Sequence, residues 1–366
     1  MRKIRVATRK GLFCVDKRGG RWAVSQASFV GDTVTAVCRD ARDGAIYAGQ
    51  GLGHWGVKMQ RSRDDGATWE ELAAPAFPAI EGAESHQTKD GKPWPMRVEQ
   101  LWTIVASNAS RPGELWCGTV GGALFRSRDH GASWEFCRAL WEHPSRAEWF
   151  GGGADVPAIH SVCVHPEDPD DVVVGVSCGG VWRTRDGGAS WTLGGKGMFA
   201  AFMPEARKFD TAIQDPHRLA QCDAAPDRLW CQHHNGAFVS DDRGETWRSI
   251  DVPPSVFGFA VAAHPRDADT AWFVPAKKDE ERVPVDAAVV VTRTRDNAAS
   301  FEQLREGLPQ AFAYDIVLRH ALAVDATGSQ LAFGSSTGGL WVSEDGGDRW
   351  SMVDARLPPV YTVAID

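Results

Sequence analysis

The chain has 366 residues, a formal net charge of −8 and no basic run, so the electrostatic footprint of a nucleic-acid binder is missing. No apolar stretch is long enough to span a bilayer, and the charged start Met1-Arg2-Lys3-Ile4-Arg5-Val6 has no apolar segment behind it, so a cytoplasmic protein without a membrane partner is expected. Eight cysteines show no CxxC pair and no metal-ligand spacing, which points to buried free thiols in a reducing compartment.

Three strand-like runs open the chain, Ile4 to Thr8, Leu12 to Asp16 and Trp22 to Ser28. They read as the second, third and fourth strands of a four-stranded unit that lacks its first. Between the last two lies Val15 to Trp22, the weakest copy of the pattern Ser/Thr-x-Asp-x-Gly-x-x-Trp. Stronger copies follow at Ser62 to Trp69, Ser127 to Trp134, Thr184 to Trp191, Ser240 to Trp247 and Ser343 to Trp350, and a decayed one at Thr294 to Phe301 has Ala298 in place of Gly. The pattern has a physical basis. An Asp side chain accepts hydrogen bonds from backbone a few residues on, Gly reaches angles costly for other residues, and Trp brings apolar surface between units. The closing aromatics are roughly 47 to 65 residues apart, a period suited to one four-stranded propeller blade each.

Between boxes the same order of strands recurs. The fourth unit shows it most clearly: His160 to Val164, a turn at His165-Pro166-Glu167-Asp168-Pro169, Val172 to Ser177, Val181 to Thr184, then the box. Antiparallel alternation puts the turns between first and second strands on the box face. Long links fall on the opposite face, where binding and catalysis usually sit. Ala73 to Gln100 carries His86, Lys92, Trp94, Arg97 and Glu99. Leu140 to Ala158 carries Trp141, His143, Arg146, Glu148, Trp149 and Asp155. Gly194 to Pro216 carries Met198, Phe199, Phe202, Arg207, Asp210 and Asp215. The inner loop Lys277 to Arg282 reads as solvated. The final run, Val360 to Ile365, has the alternation of a first strand and is expected to complete the opening unit and close the ring.

These repeats are the Asp-box, and the chain resembles the Asp-box (BNR) repeat proteins, whose relatives include sialidases, sortilin and plastid photosystem assembly factors. The resemblance covers nearly the whole chain. It implies an all-β fold, a single seven-bladed β-propeller over residues 1–366 of four-stranded antiparallel blades, with each box between third and fourth strands and blade one built from 360–365 plus 4–28. It also implies that the boxes fix turns and form no site. A sialidase is disfavoured: the Arg-Ile-Pro segment is missing, seven blades replace six, and of the three tyrosines Tyr47, Tyr314 and Tyr361 only Tyr314 lies in a link on the elaborated face.

Aligning the units places His160, His217 and His320 at equivalent starts of first strands, with Gln232, His233 and His234 in a neighbouring loop and Gln50, His54 and Trp55 in the matching loop of the second unit. Imidazole is the commonest metal ligand and titrates near neutral pH, so His160, His217 and His320 are candidate ligands for zinc, manganese or iron. His233, His234, Asp215 and Tyr314 are candidate catalytic groups; Arg97, Arg319, Gln50, His54 and Trp149 are candidate substrate contacts. His130, His165 and His264 lie in box-face turns and read as structural. The functional expectation is a hydrolase or lyase on a small polar, sugar-like or carboxylated substrate. The alternatives are a protein-interaction module presenting Trp141, Trp149, Phe150, Phe199 and Phe202, and a water-filled channel under a self-buried lid.

Overall fold

A computed structural model describes residues 3–79, 96–152 and 156–366. Among them the chain is built almost wholly of short antiparallel strands, in five four-stranded sheets and one of eight strands. The eight-stranded sheet is two sets of four joined edge to edge by one residue pair, Val120 with Ala158. The chain divides into two compact units: residues 35–216, and residues 1–34 with 217–366.

In the second of these, Val360–Ile365 pairs antiparallel with Lys3–Thr8, which continues into Gly11–Arg18 and Arg21–Ser28. A two-pronged ion pair clamps this seam: Arg5 donates to Asp366 at 2.8 and 3.2 Å, and Arg5 is 2% exposed. The weak copy at Val15 to Trp22 is not a box. Val15 has no hydroxyl to anchor the turn, and Gly19 and Gly20, both with positive φ (56° and 82°), close a tight hairpin instead.

The six other copies share one geometry. In the first, Ser62 Oγ accepts from the Gly66 N–H at 2.8 Å and donates to Asp64 at 2.8 Å, while Asp64 accepts from the Thr68 N–H at 2.8 Å and the Thr68 hydroxyl at 2.6 Å. That hydroxyl chiefly, with the Thr68 N–H beside it, holds the Asp64 carboxyl down to about 2. Ser133, Ser190, Thr246 and Ser300 repeat the role of Thr68.

Each box also forces two successive residues into the left-handed region, as at Asp65 and Gly66, His130 and Gly131, or Asn297 and Ala298. The first of the pair then ties down the turn between first and second strands: His130, Gly187, Arg243, Asn297 and Gly346 all donate their N–H to it. Its carbonyl accepts from an arginine just upstream of the preceding box, Arg61 to His130 O at 2.9 Å, Arg126 to Gly187 O and Arg293 to Gly346 O, both at 2.7 Å.

A second device caps the turns themselves. His165 Nδ1 accepts from the N–H groups of Glu167 and Asp168, and His264 Nδ1 from those of Arg266 and Asp267. Asn108 does the same with its side-chain oxygen toward Ser110. Between sheets lie Trp116, Trp182, Trp230, Trp272 and Trp341, all at most 2% exposed. All eight cysteines are free thiols, six buried and two half-buried.

Two predictions follow from the turns. Gly347 has φ +101° and an added Cβ would lie 2.9 Å from Leu304 and 3.3 Å from Trp272, so Gly347→Ala combines backbone strain with a clash. It is expected to lower stability in urea unfolding by about 2 kcal/mol; a loss under about 0.5 kcal/mol would contradict the packing account. The imidazole of His264 is held below its ordinary pKa by burial. Its neutral Nδ1 is the acceptor, so protonation removes two hydrogen bonds. A depressed folded pKa means the contribution is present above about 6.5 and lost as pH falls through the lower folded value. His264→Asn, which copies Asn108, is expected to keep the turn and flatten that stretch of the stability–pH curve, and an unchanged slope in the variant would reject the assignment.

Candidate functional site

In the unit formed by residues 1–34 and 217–366, the site grows from the strand Pro216–Cys222. His217 is 2% exposed, and its Nδ1 lies 2.7 Å from the carbonyl oxygen of Gly258. A carbonyl only accepts, so Nδ1 carries a proton. The ring stacks on Phe259 at 4.7 Å and 16°, and meets Phe257 edge-on. Phe257 and Phe259 share one side of the chain through the alternation of extended backbone.

His234 stands against the same group, 5.5 Å from His217 and nearly perpendicular to it. Its Nε2 lies 4.0 Å from Asp279, whose carboxylate is held by Arg282. The guanidinium groups of Arg282 and Arg319 each lie 5.4 Å from the centre of the Phe259 ring. Ile316, with Leu318 packed against it, joins Phe257, Phe259 and Ala276 in one buried cluster, which anchors the segment bearing Arg319. Gln232 steadies the loop below by donating to the carbonyls of His233, Gly236 and Val256.

The remaining candidates of this unit are placed differently. His233 is fully buried, packs edge-on against Phe238 and accepts from the Asn235 N–H through Nδ1. His320 is 7% exposed and lies in a backbone bridge to Thr362. Tyr314 is exposed, and Asp315 is bonded to Ser335 and Thr337. The loop Lys277 to Arg282 is not simply solvated, because Arg282 lies over Phe259 and Asp279 beside His234.

In the unit of residues 35–216, His160 occupies a β-bulge, the position where the register of Ala158–Val164 shifts between Ile159 and Ser161. It is fully buried, its Nδ1 is 2.8 Å from Ser161 Oγ, and Trp102 meets it edge-on from an equivalent bulge. Asp215 accepts from the Ser177 hydroxyl at 2.9 Å and the Cys178 N–H at 3.1 Å. Gln50 is buried and accepts from Gln60, whereas His54 is exposed beside Trp55. Arg97 is exposed, 3.7 Å from Glu99.

Trp141 and Trp149 do not form an exposed patch. The Arg146 guanidinium covers Trp141 at 3.3 Å, Trp149 packs on Trp182, and both indoles are at most 5% exposed. Arg207 pairs with Glu148 and Asp210. Apolar surface persists at Phe202 and Phe209, with Phe150 against Phe202 and Lys208 over Phe209. His86, Lys92, Trp94 and Asp155 lie outside the described residues.

Sequence reasoning missed Phe257, Phe259, Asp279 and Arg282. The repeat of Phe at alternate positions ahead of a strand was the available signal for the first two. For the charged pair there was none, since an exposed loop and a loop folded over a ring read alike.

No family model and no curated protein matches the sequence. Solved structures do resemble it. A GH74 xyloglucanase from Xanthomonas campestris superposes with a TM-score of 0.61 at 16% identity, over 95% of this chain and 52% of its own. The chain thus spans about half the length of that enzyme. YCF48 from Cyanidioschyzon merolae gives 0.57 at 14% identity, over 89% and 87%, and YCF48 bound to D1 peptide gives 0.53 at 14%, over 88% and 82%. Among the described residues, no helix is long and apolar enough to cross a membrane. The likeness is one of fold, to β-propeller proteins, and it agrees with the Asp-box resemblance carried by the repeats.

Proposed function

We propose that the chain is a seven-bladed β-propeller closed by Val360–Ile365, and an enzyme of the hydrolase or lyase type acting on a small polar substrate at His217 and His234. Seven sets of four strands and the pairing of Val360–Ile365 with Lys3–Thr8 support the architecture. The observation that carries the function is the contact of His217 Nδ1 with the Gly258 carbonyl. With Nδ1–H committed there, Nε2 is the nitrogen through which the neutral ring would bind a metal, an arrangement typical of metal-binding histidines.

The donor types suit zinc, manganese or iron. His217 and His234 would hold the ion. Bound there, such an ion supplies Lewis-acid polarisation and a more acidic water. Asp279, 4.0 Å from His234 Nε2, would orient that imidazole as a ligand. Phe257 and Phe259 keep water from the inner side.

The test is elemental analysis of untagged protein purified without chelator, with His217→Ala/His234→Ala and His160→Ala/His320→Ala variants. One equivalent of a transition metal is expected, lost in the first pair and kept in the second. Retention in the first pair would exclude His217 and His234 as the ligands. An apo protein that stays empty after reloading would sink the metal reading.

A second reading, a peptide-binding module, is favoured by exposed Phe202 and Phe209 and by the YCF48 structure bound to D1 peptide. It expects selective enrichment from a displayed peptide library that Phe202→Ser/Phe209→Ser abolishes. No enrichment by the wild type would remove it.

A further inference from the structure

We infer that the outer strand of the first sheet, Arg21–Ser28, is a docking edge for an extended acidic segment of a partner protein, which adds to it as a further strand. The edge involves no residue of the site at His217 and His234 and does not depend on that site.

The missing box is what sets this strand apart. Each of the six boxes leads into a short outer strand: Glu70–Leu72, Glu135–Phe136, Thr192–Leu193, Arg248–Ile250, Glu302–Leu304 and Ser351–Asp354 hold two to four residues each. Where the hairpin at Gly19 and Gly20 replaces the box, Arg21–Ser28 runs for eight residues at the edge of its sheet. Sheets discourage unwanted pairing with short or charged edges, and this edge is long and uncharged from Trp22 to Ser28.

Register decides which backbone groups face outward. Two left-handed residues in a two-residue turn make Arg18 and Arg21 a hydrogen-bonded pair, so Lys17 with Trp22 and Val15 with Val24 are non-hydrogen-bonded pairs. The N–H and C=O groups of Trp22 and Val24 therefore point away from the sheet, where an added strand would lie. A bulge at Ser25 ends this stretch. Val24 is 38% exposed, with Ala23 and Ala27 exposed beside it.

Charge selects the occupant. Lys3 to Ser28 holds seven basic residues and one acidic residue, Asp16, in a chain whose formal net charge is −8. Arg5 and Lys17 are answered by Asp366 and Glu344. At the hairpin end Arg18 and Arg21 are exposed, and Arg18 touches Asp16 at 3.4 Å with its side chain still 70% exposed. At the other end Arg9 and Lys10 are exposed, and their carbonyls accept from Thr33 and Gly31, which holds that turn near Ser28. Cations thus flank both ends of an uncharged run. Antiparallel pairing with a second copy would set the two basic ends against each other, whereas an extended segment with acidic flanks meets opposite charge at both. Main-chain hydrogen bonds would give the affinity, and the flanking charges the choice of partner.

The experiment is fluorescence anisotropy of the full chain with labelled Glu-Glu-Val-Thr-Val-Thr-Val-Glu-Glu, beside one form with lysine for each glutamate and another with proline for each threonine. The acidic peptide is expected to bind about tenfold more tightly than either control. Val24→Pro removes an outward N–H that the sheet does not use, so it is expected to fold and to lose the peptide. Arg18→Glu/Arg21→Glu is expected to shift the preference toward the lysine form. Phe202→Ser/Phe209→Ser is expected to change nothing, which separates this edge from the peptide reading at those residues. Equal binding of the acidic and lysine peptides, undiminished binding of the proline form, retention by a folded Val24→Pro, or no binding of the acidic peptide at millimolar concentration would each overturn the inference. So would a wild-type dimer in sedimentation that Val24→Pro dissolves, since the edge would then belong to a second copy. The comparison of peptides on the wild type stands even if Val24→Pro misfolds.

Discussion

Everything else in this chain depends on a pair of left-handed residues at the centre of each box. Left alone, such a pair costs free energy at every non-glycine position. The box offsets it by giving each polar group of the turn a fixed partner: the Ser or Thr hydroxyl takes one N–H, the aspartate takes another, and a second hydroxyl bridges to the same carboxylate. Once bent this way, the backbone turns its N–H to the neighbouring turn of the same sheet and its carbonyl to an arginine from the preceding one. One local distortion therefore organises contacts within a sheet and between sheets. Ala298 shows the tolerance of the device, holding φ +64° without glycine because its surrounding bonds are complete.

This arrangement frees the opposite ends of the strands from structural duty. There the sheets depart from regular pairing. Bulges fall at Trp102, at His160 and across Phe259 and Ala260, each in a first strand. A bulge re-aims a side chain and leaves a residue out of the ladder. In the unit holding Phe259, its consequence is a ring that gathers His217, Arg282 and Arg319 around itself. The candidate site thus lies beside an irregularity imposed on a regular scaffold.

The regular part was legible and the irregular part was not. Box residues repeat, so the six turns, the strand order and the return of Val360–Ile365 to the first sheet could be read from spacing alone. The arginine before the box hydroxyl, at Arg61, Arg126 and Arg293, was equally visible but carries no signal until the next box is seen across from it. At the site, histidines were found because their residue type is rare. Their partners were not: whether Trp149 lines a pocket or fills a core depends on Trp182 behind it, and no periodicity encodes that contact. His233 and His234 are adjacent in sequence yet face different surroundings, since His233 ends a strand and His234 begins the turn after it.

Likeness of fold adds little to this. A xyloglucanase and a protein seen bound to a peptide superpose on the same chain with similar scores, so the scaffold does not choose between catalysis and binding. The choice lies in whether an imidazole is held for chemistry or for packing. His165 and His264 use Nδ1 to accept from backbone N–H groups, which satisfies the turn and spends the lone pair. His217 does the reverse, donating from Nδ1 to a carbonyl. That contrast, beside a second imidazole and two guanidinium groups, is the physical ground on which chemistry is proposed at His217.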